Sequence, residues 1–349
     1  MKTQVIKLSQ DNFCDSDLYQ AAEVIKSGGL VIFPTETVYG LGADATSATA
    51  AKKIYGAKGR PSDNPLIIHI ADPADAEKYT YTNETYDLLA AKFMPGPLTV
   101  VLPARSIIPP ETRASLPTVA VRCPSHKLAR ALIRLAGTPI AAPSANISGT
   151  PSPTKAEHVI NDMSGRVDVI IDGGDSEVGL ESTIVKIEDD GSVLLLRPGK
   201  ITVEELSAVC KSVKIADAVT NQLEAGQTVL SPGMKYKHYA PKTPVYLVEG
   251  DTEAALEYIA GRARSNSVAV LCYENDVDAF KKRIPNAYIY EFGNANDEAR
   301  QAHILFDILR DTDKHDFDEI YAPLPRKEGI GLALYNRMIR AAAYHIIRL

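Results

Sequence analysis

The sequence predicts an α/β protein of two units: a mixed, twisted sheet with helices, followed by a smaller parallel α/β unit. Short apolar runs alternate with stretches of helical periodicity along most of the chain. The segment Asp189-Asp190-Gly191-Ser192 is a hairpin signal, so part of the first sheet has to be antiparallel. Residues 221–244 lose periodicity and gather Gly226, Pro232, Gly233, Pro241 and Pro244, which marks a linker. A chain of 349 residues with 45% apolar content exceeds one ordinary domain and can fill two cores.

The first helix is expected from Ser16, where Leu18, Ala21, Ala22 and Ile25 share a face, to the stop at Gly28-Gly29. The apolar run 30–33 follows as a strand and empties into the polar turn Pro34-Thr35-Glu36-Thr37-Val38-Tyr39-Gly40-Leu41-Gly42, a usual place for an α/β protein to hold a small ligand. Ser47 caps a second helix running to Tyr55 and ended by Gly56, which leaves residues 58–65 as a loop into the strand 66–70. Further strands are expected at 98–102, 119–122, 140–142, 167–171, 182–187 and 193–197, and a helix at about 203–210. Beyond the linker, strands at 245–248, 268–273, 287–290 and 319–322 interleave with helices near 252–264, 295–310 and 332–347. The resulting domains are 1–212, a linker at 213–244 and 245–349.

Composition narrows the function. Cys14, Cys123, Cys210 and Cys272 form no Cys-x-x-Cys and no close pair, so neither a disulfide framework nor a zinc ribbon is expected. The N-terminus lacks the apolar core of a secretion signal, and no apolar run reaches membrane-spanning length, so a cytoplasmic protein is expected. A formal net charge of −6 disfavours a generally basic nucleic-acid binder. Gly40 to Ala45 formally fits a dinucleotide fingerprint, yet its glycines do not sit at a strand-to-helix turn, which disfavours a nicotinamide cofactor. There is no Gly-x-Ser-x-Gly elbow, P-loop or metal-ligand spacing.

What remains is a set of hydroxyls, amides and cations at strand ends. Lys58 and Arg60, with Ser62 and Asn64, offer cations and neutral donors for a polyphosphate. Arg122 ends an apolar strand, where a permanently charged guanidinium needs a carboxylate or phosphate partner. His69 lies inside another apolar strand, equally compatible with a satisfied core histidine and a ligand contact. The run 143–149 has small residues that permit close backbone approach, and Ser182-Thr183 and Arg197-Pro198-Gly199 repeat the pattern of polar groups at strand ends. Such a site suits phosphoryl or nucleotidyl transfer driven by positioning and charge neutralisation.

Taken together, these blocks, with Gly96-Pro97-Leu98-Thr99, Val121-Arg122-Cys123-Pro124 and Ser182-Thr183-Ile184-Val185, closely resemble the YrdC/Sua family of threonylcarbamoyl-AMP synthases over residues 12–210. The linker run 231–241 and the α/β tail resemble its two-domain Sua branch, which implies a YrdC-like first domain and a Rossmann-like second. The resemblance implies synthesis of L-threonylcarbamoyl-AMP from L-threonine, bicarbonate or CO2, and ATP with Mg²⁺, releasing pyrophosphate. The product would pass to threonylcarbamoyl transferase proteins that modify tRNA beside the anticodon. It places threonine against Thr35, His69, Arg122, Ala142 and Ser182. ATP would lie against Lys58, Ser62, Thr118, Ser144, Ser152, Arg197 and the linker residues Tyr236 and His238, with Lys58, Arg60 and Arg122 as the catalytic cations. A linker folding over the nucleotide as a lid is a further expectation. Two competing readings are a double-stranded RNA or tRNA-binding module without catalysis, and carbamoyl transfer in hydrogenase maturation. The second is disfavoured by the lack of an acylphosphatase-like region and zinc-finger cysteines.

Overall fold

The computed structural model describes residues 2–221 and 239–349, which divide into two compact units, the second of them taking in residues 149–151 as well as 239–349. Among the described residues, no helix is long and apolar enough to cross a membrane.

The first unit opens with β1 (Gln4–Lys7), α1 (Tyr19–Lys26), β2 (Val31–Phe33), β3 (Gly40–Asp44), α2 (Ala48–Lys58) and β4 (Ile67–His69). It continues through α3 (Glu84–Phe93), β5 (Leu98–Pro103), β6 (Thr118–Arg122), α4 (Lys127–Ala136), β7 (Ile140–Ala141) and α5 (Ala156–Met163). β8 (Val169–Asp172), β9 (Thr183–Ile187), β10 (Val193–Arg197), α6 (Val203–Ser207) and β11 (Val213–Ile215) complete it. Its 11 strands form one mixed sheet in the order β1-β8-β2-β3-β7-β4-β6-β5-β9-β10-β11. The expected hairpin is there: β9 and β10 are antiparallel, and Gly191 turns the chain between them at φ 77°. On one face, α1 with the residue just before it and α4 bury Leu18, Ile25, Leu128 and Leu132 against Val31, Phe33 and Ile171, and the alanines between them let helix and sheet approach closely.

Three local expectations change. Gly40–Asp44 is a strand, antiparallel to β2, where no strand was expected, so the polar turn is the closed end of a hairpin. Gly56 does not end α2, because a helix tolerates an interior glycine at a cost of about 1 kcal/mol. The stop is Gly59, left-handed at φ 62°, and Lys58 therefore belongs to the last helical turn instead of the following loop. The helices α3, α4 and α5 and the strands β1 and β11 also join the expected elements.

The second unit alternates β12 (Val245–Glu249), α7 (Thr252–Arg262), β13 (Val268–Cys272), α8 (Val277–Arg283) and β14 (Tyr288–Glu291). Then come α9 (Glu298–Thr312), β15 (Glu319–Pro323), α10 (Gly331–Ala341) and β16 (Ile346–Arg348). All its strand pairings are parallel, in the order β14-β13-β15-β12-β16. Asp251 caps α7 by accepting from Ala254 N at 2.8 Å, and Asp297 caps α9 from Arg300 N at 2.9 Å. The expected last helix is shorter: Ala343 and Tyr344 take φ of 46° and 64°, which turns the chain out of α10 and into β16.

Candidate active site

Sheet register builds the centre of the site. β4 and β6 run parallel with His69 opposite Arg122, and β5 runs antiparallel to β6 with Thr99 opposite the same Arg122. Partners directly opposite in a sheet share a face, so three polar side chains from three strands meet at one place. All three are buried. The Phe33 ring stands edge-on to His69 with centroids 5.9 Å apart. Burial, and then the neighbouring Arg122 charge, pull the His69 imidazole down to about 3, so it is neutral, and its Nδ1 has no hydrogen-bond partner.

Arg122 meets Glu36, from the polar turn after β2, with Nη2 2.8 Å from Oε1 and both side chains buried. The groups approach as charges without hydrogen-bond alignment: Arg122 Nε and Nη2 and both Glu36 carboxylate oxygens lack a hydrogen-bond partner. The turn itself is held by Thr35, whose hydroxyl donates to Val38 O at 2.6 Å and lies 2.9 Å from the Thr37 hydroxyl. His126, just before α4, is also buried, and burial lowers it to about 4 although Glu36 and Asp11 pull the other way.

On the other side of Arg122, Ser182 shares a hydrogen bond of 2.8 Å with Thr99. Arg197 at the end of β10 donates from Nε to Ser182 O at 3.0 Å and from Nη2 to Ser182 Oγ at 3.1 Å. Ser152 Oγ donates to Glu181, one residue earlier. A hydroxyl held between a threonine and an arginine has a fixed orientation, which is what selective recognition of a small polar ligand needs.

A second cluster forms where α2 meets the loop after β7. Lys58 Nζ donates to the backbone oxygens of Ser144 and Asn146, the latter at 2.6 Å, and lies 3.3 Å from Asn146 Oδ1. Ser144 Oγ donates to Asn146 Oδ1 at 2.6 Å, and Ser148 N donates to Lys58 O at 3.0 Å. Arg60 reaches back along its own loop, from Nε to Asn64 O at 3.3 Å and from Nη2 to Pro65 O at 3.1 Å. The cluster thus presents a buried ammonium, a hydroxyl and an amide on adjoining backbone, a set suited to orienting phosphate oxygens.

The structure brings His69, Arg122 and Ser182 together with Thr35 nearby in the turn bonded around Glu36. Ala142 follows β7, bonded from its N to Ile67 O at 2.8 Å, and links the two clusters through the chain. Ser62 is exposed in the loop after α2. Thr118 starts β6, about 13 Å along the strand from Arg122 at the usual rise per residue, so the two mark opposite ends of it. Tyr236 and His238 lie outside the described residues, as does most of the expected lid. Sequence reasoning did not single out Glu36, Thr99, Asn146 or Glu181, although each stands inside or beside a polar block; only the fold shows that they bond to the chosen residues.

Comparison with known proteins gives the family of the chain. Residues 23–199 match a family model, Sua5_yciO_yrdC, described as telomere recombination, and residues 201–343 match the threonylcarbamoyl-AMP synthase C-terminal domain. The chain is 45% identical over 340 residues to the threonylcarbamoyl-AMP synthase of Bacillus subtilis, covering 96% of this chain and 95% of that one. It is 43% identical over 333 residues to that of Pyrococcus abyssi, covering 94% of each. The crystal structure of P. abyssi Sua5 complexed with L-threonine superposes with a TM-score of 0.90 at 40% identity, covering 100% of both chains. This chain therefore belongs to the Sua5/YrdC family, in the branch that carries the threonylcarbamoyl-AMP synthase C-terminal domain.

Proposed function

We propose that this chain is a nucleotidyltransferase that makes L-threonylcarbamoyl-AMP from L-threonine, bicarbonate or CO2, and ATP, releasing pyrophosphate. The observation that carries the reading is Arg122, a buried guanidinium with unused N–H groups, set in register between His69 and Thr99 and beside a bonded Ser182 hydroxyl. That arrangement is a receptor for a small hydroxy-amino acid, and the names of the full-length relatives support the same substrate. In this reading Arg122 takes the threonine carboxylate, with Thr35, His69, Ala142 and Ser182 around the rest of the molecule. Lys58, Ser144, Ser152 and Arg197 line the nucleotide side with Ser62 and Thr118, and Arg60 supports the loop that follows Lys58. Mg²⁺ bound to the triphosphate would neutralise part of its charge, beside the cations Lys58 and Arg197. The reaction needs no covalent intermediate: the carbamate oxygen of threonine attacks the α-phosphorus and pyrophosphate leaves, so alignment and exclusion of water do the catalytic work.

Transfer of the product through threonylcarbamoyl transferase proteins to tRNA, in the cytoplasm, belongs to the same proposal, and free cysteines at 14, 123, 210 and 272 suit a reducing compartment. An RNA-binding module is not favoured, since Lys58, Arg122 and Arg197 are buried in the site and not presented to a phosphate backbone. The test is pyrophosphate release by the full chain with ATP, Mg²⁺ and bicarbonate, with and without L-threonine, alongside mass detection of the adenylate. Threonine- and bicarbonate-dependent release with that product is expected; release independent of threonine, or none, overturns the reading.

A further inference from the structure

We propose that Glu36 is the receptor for the α-ammonium group of L-threonine, so that the buried Glu36–Arg122 pair reads both charges of a zwitterionic amino acid. The inference rests on the threonine reading above and assigns a residue to the one part of the substrate that becomes the carbamate nitrogen.

Burying two charges costs several kcal/mol for each ion, and a pair is maintained cheaply only when hydrogen bonds satisfy its remaining lone pairs and protons. Here they do not: Glu36 Oε1 and Oε2 and Arg122 Nε and Nη2 are all without hydrogen-bond partners at an N···O separation of 2.8 Å. Four unsatisfied polar atoms of opposite sign, side by side and out of water, are the mirror of a ligand that carries a carboxylate and an ammonium on one carbon. Its carboxylate offers acceptors to the guanidinium and its ammonium offers donors to the carboxylate.

Charge balance makes the same choice. Glu36 and Arg122 sum to zero. Beside the pair, burial holds His69 and His126 neutral, with values of about 3 and 4, and keeps the Cys123 thiol protonated, at about 12, while Arg197, a further cation of the site, is bonded to Ser182. A carboxylic acid without an amine would add one negative charge beside the Glu36 carboxylate, whereas the zwitterion adds no net charge. The pair is thus a specificity device against hydroxy acids that share the carboxylate and side chain of threonine.

Calorimetric titration of the full-length protein with L-threonine and with 3-hydroxybutanoate, which lacks only the amino group, tests this without any variant. Threonine should bind about 100-fold more tightly, the range of a hydrogen-bonded charge contact. In Glu36→Gln, threonine affinity should fall by about 100-fold, while 3-hydroxybutanoate binding is retained or improved because the repelling charge is gone. Glu36→Gln/Arg122→Gln removes both charges and guards against misfolding caused by a lone buried cation; it should bind both ligands weakly and without preference. Equal binding of the two ligands by the wild type would overturn the proposal, as would parallel loss of both in a folded Glu36→Gln protein, which would make Glu36 only a support for Arg122. Threonine-dependent pyrophosphate release by the wild type, measured on the same sample, separates the two claims. If release occurs but the ligands are not distinguished, only the role of Glu36 falls.

Discussion

His69 and Arg122 are register partners on the adjacent parallel strands β4 and β6, and the guanidinium adds to burial in keeping the imidazole uncharged. Burial is the larger cause and the guanidinium the second, together holding the group at about 3. A histidine in the unfolded chain titrates near 6.5. Between those values the unfolded state binds a proton that the folded state refuses, so stability is full above pH 6.5 and falls as pH drops, by up to about 1.4 kcal/mol per pH unit for each such group. His126, at about 4, adds to the fall over most of the same window. The urea midpoint should therefore drop between pH 7.5 and pH 5, and His69→Gln should flatten the change by about one proton's worth. An unaltered pH slope in that variant would show that His69 is not buried as a neutral group.

Lys58 is the donor for backbone oxygens on both Ser144 and Asn146. Lys58→Met removes the donor and leaves buried carbonyls unsatisfied, at a cost of about 1–3 kcal/mol in stability. Threonine-dependent pyrophosphate release should fall by at least about 100-fold, the usual scale for losing a preorganised charge contact. Lys58→Arg should not restore it, since a planar fork cannot occupy the place of a compact ammonium. Steady-state rates of the two variants, with melting curves to separate folding from function, check this.

Thr99 acts through Ser182. Thr99→Val keeps shape and removes the hydroxyl that bonds Ser182 at 2.8 Å. A neutral hydrogen bond of this kind is worth about 0.5–1.5 kcal/mol, so KM for threonine should rise about 3- to 10-fold while KM for ATP is unchanged. A matching rise for ATP would mean that Thr99 supports the whole site and not the threonine side alone.

Gly199 allows the chain after β10 to cross the start of β9. A Cβ there would lie 2.5 Å from Thr183 N and 2.8 Å from both Glu181 O and Thr183 Oγ1. Two of these atoms are backbone and cannot swing away, so Gly199→Ala should destabilise the first unit by about 1–3 kcal/mol, or roughly 3–10 °C in Tm. Differential scanning fluorimetry reads the shift; a Tm equal to that of the wild type would contradict the close approach.

Much of this was legible in the residues. The hairpin at Gly191 and the parallel alternation of the second unit follow from local chemistry, and so do Arg122 and Ser182, polar groups standing at the ends of apolar runs, whereas Lys58 reads as a loop cation and is in the last turn of α2. Less legible was anything fixed by long-range register. Thr99 looks like an ordinary strand residue until β5 sets it opposite Arg122, and Glu36 looks like a solvated turn residue until β6 brings a guanidinium to it. The end of α2 was misread because two glycines compete for it, and only the left-handed backbone of Gly59 shows which one stops the helix.

The first strand of the chain has to wait for its neighbour. Among the described residues β1 is bonded along its length only to β8, with Gln4 opposite Val169, a partner that lies 165 residues later (169 minus 4). At roughly 5–20 residues per second of synthesis, about 8–33 s pass between the two leaving the ribosome. For that interval Val5 and Ile6 have no ladder to join, and the N-terminal segment is open to whatever binds extended, unpaired chains.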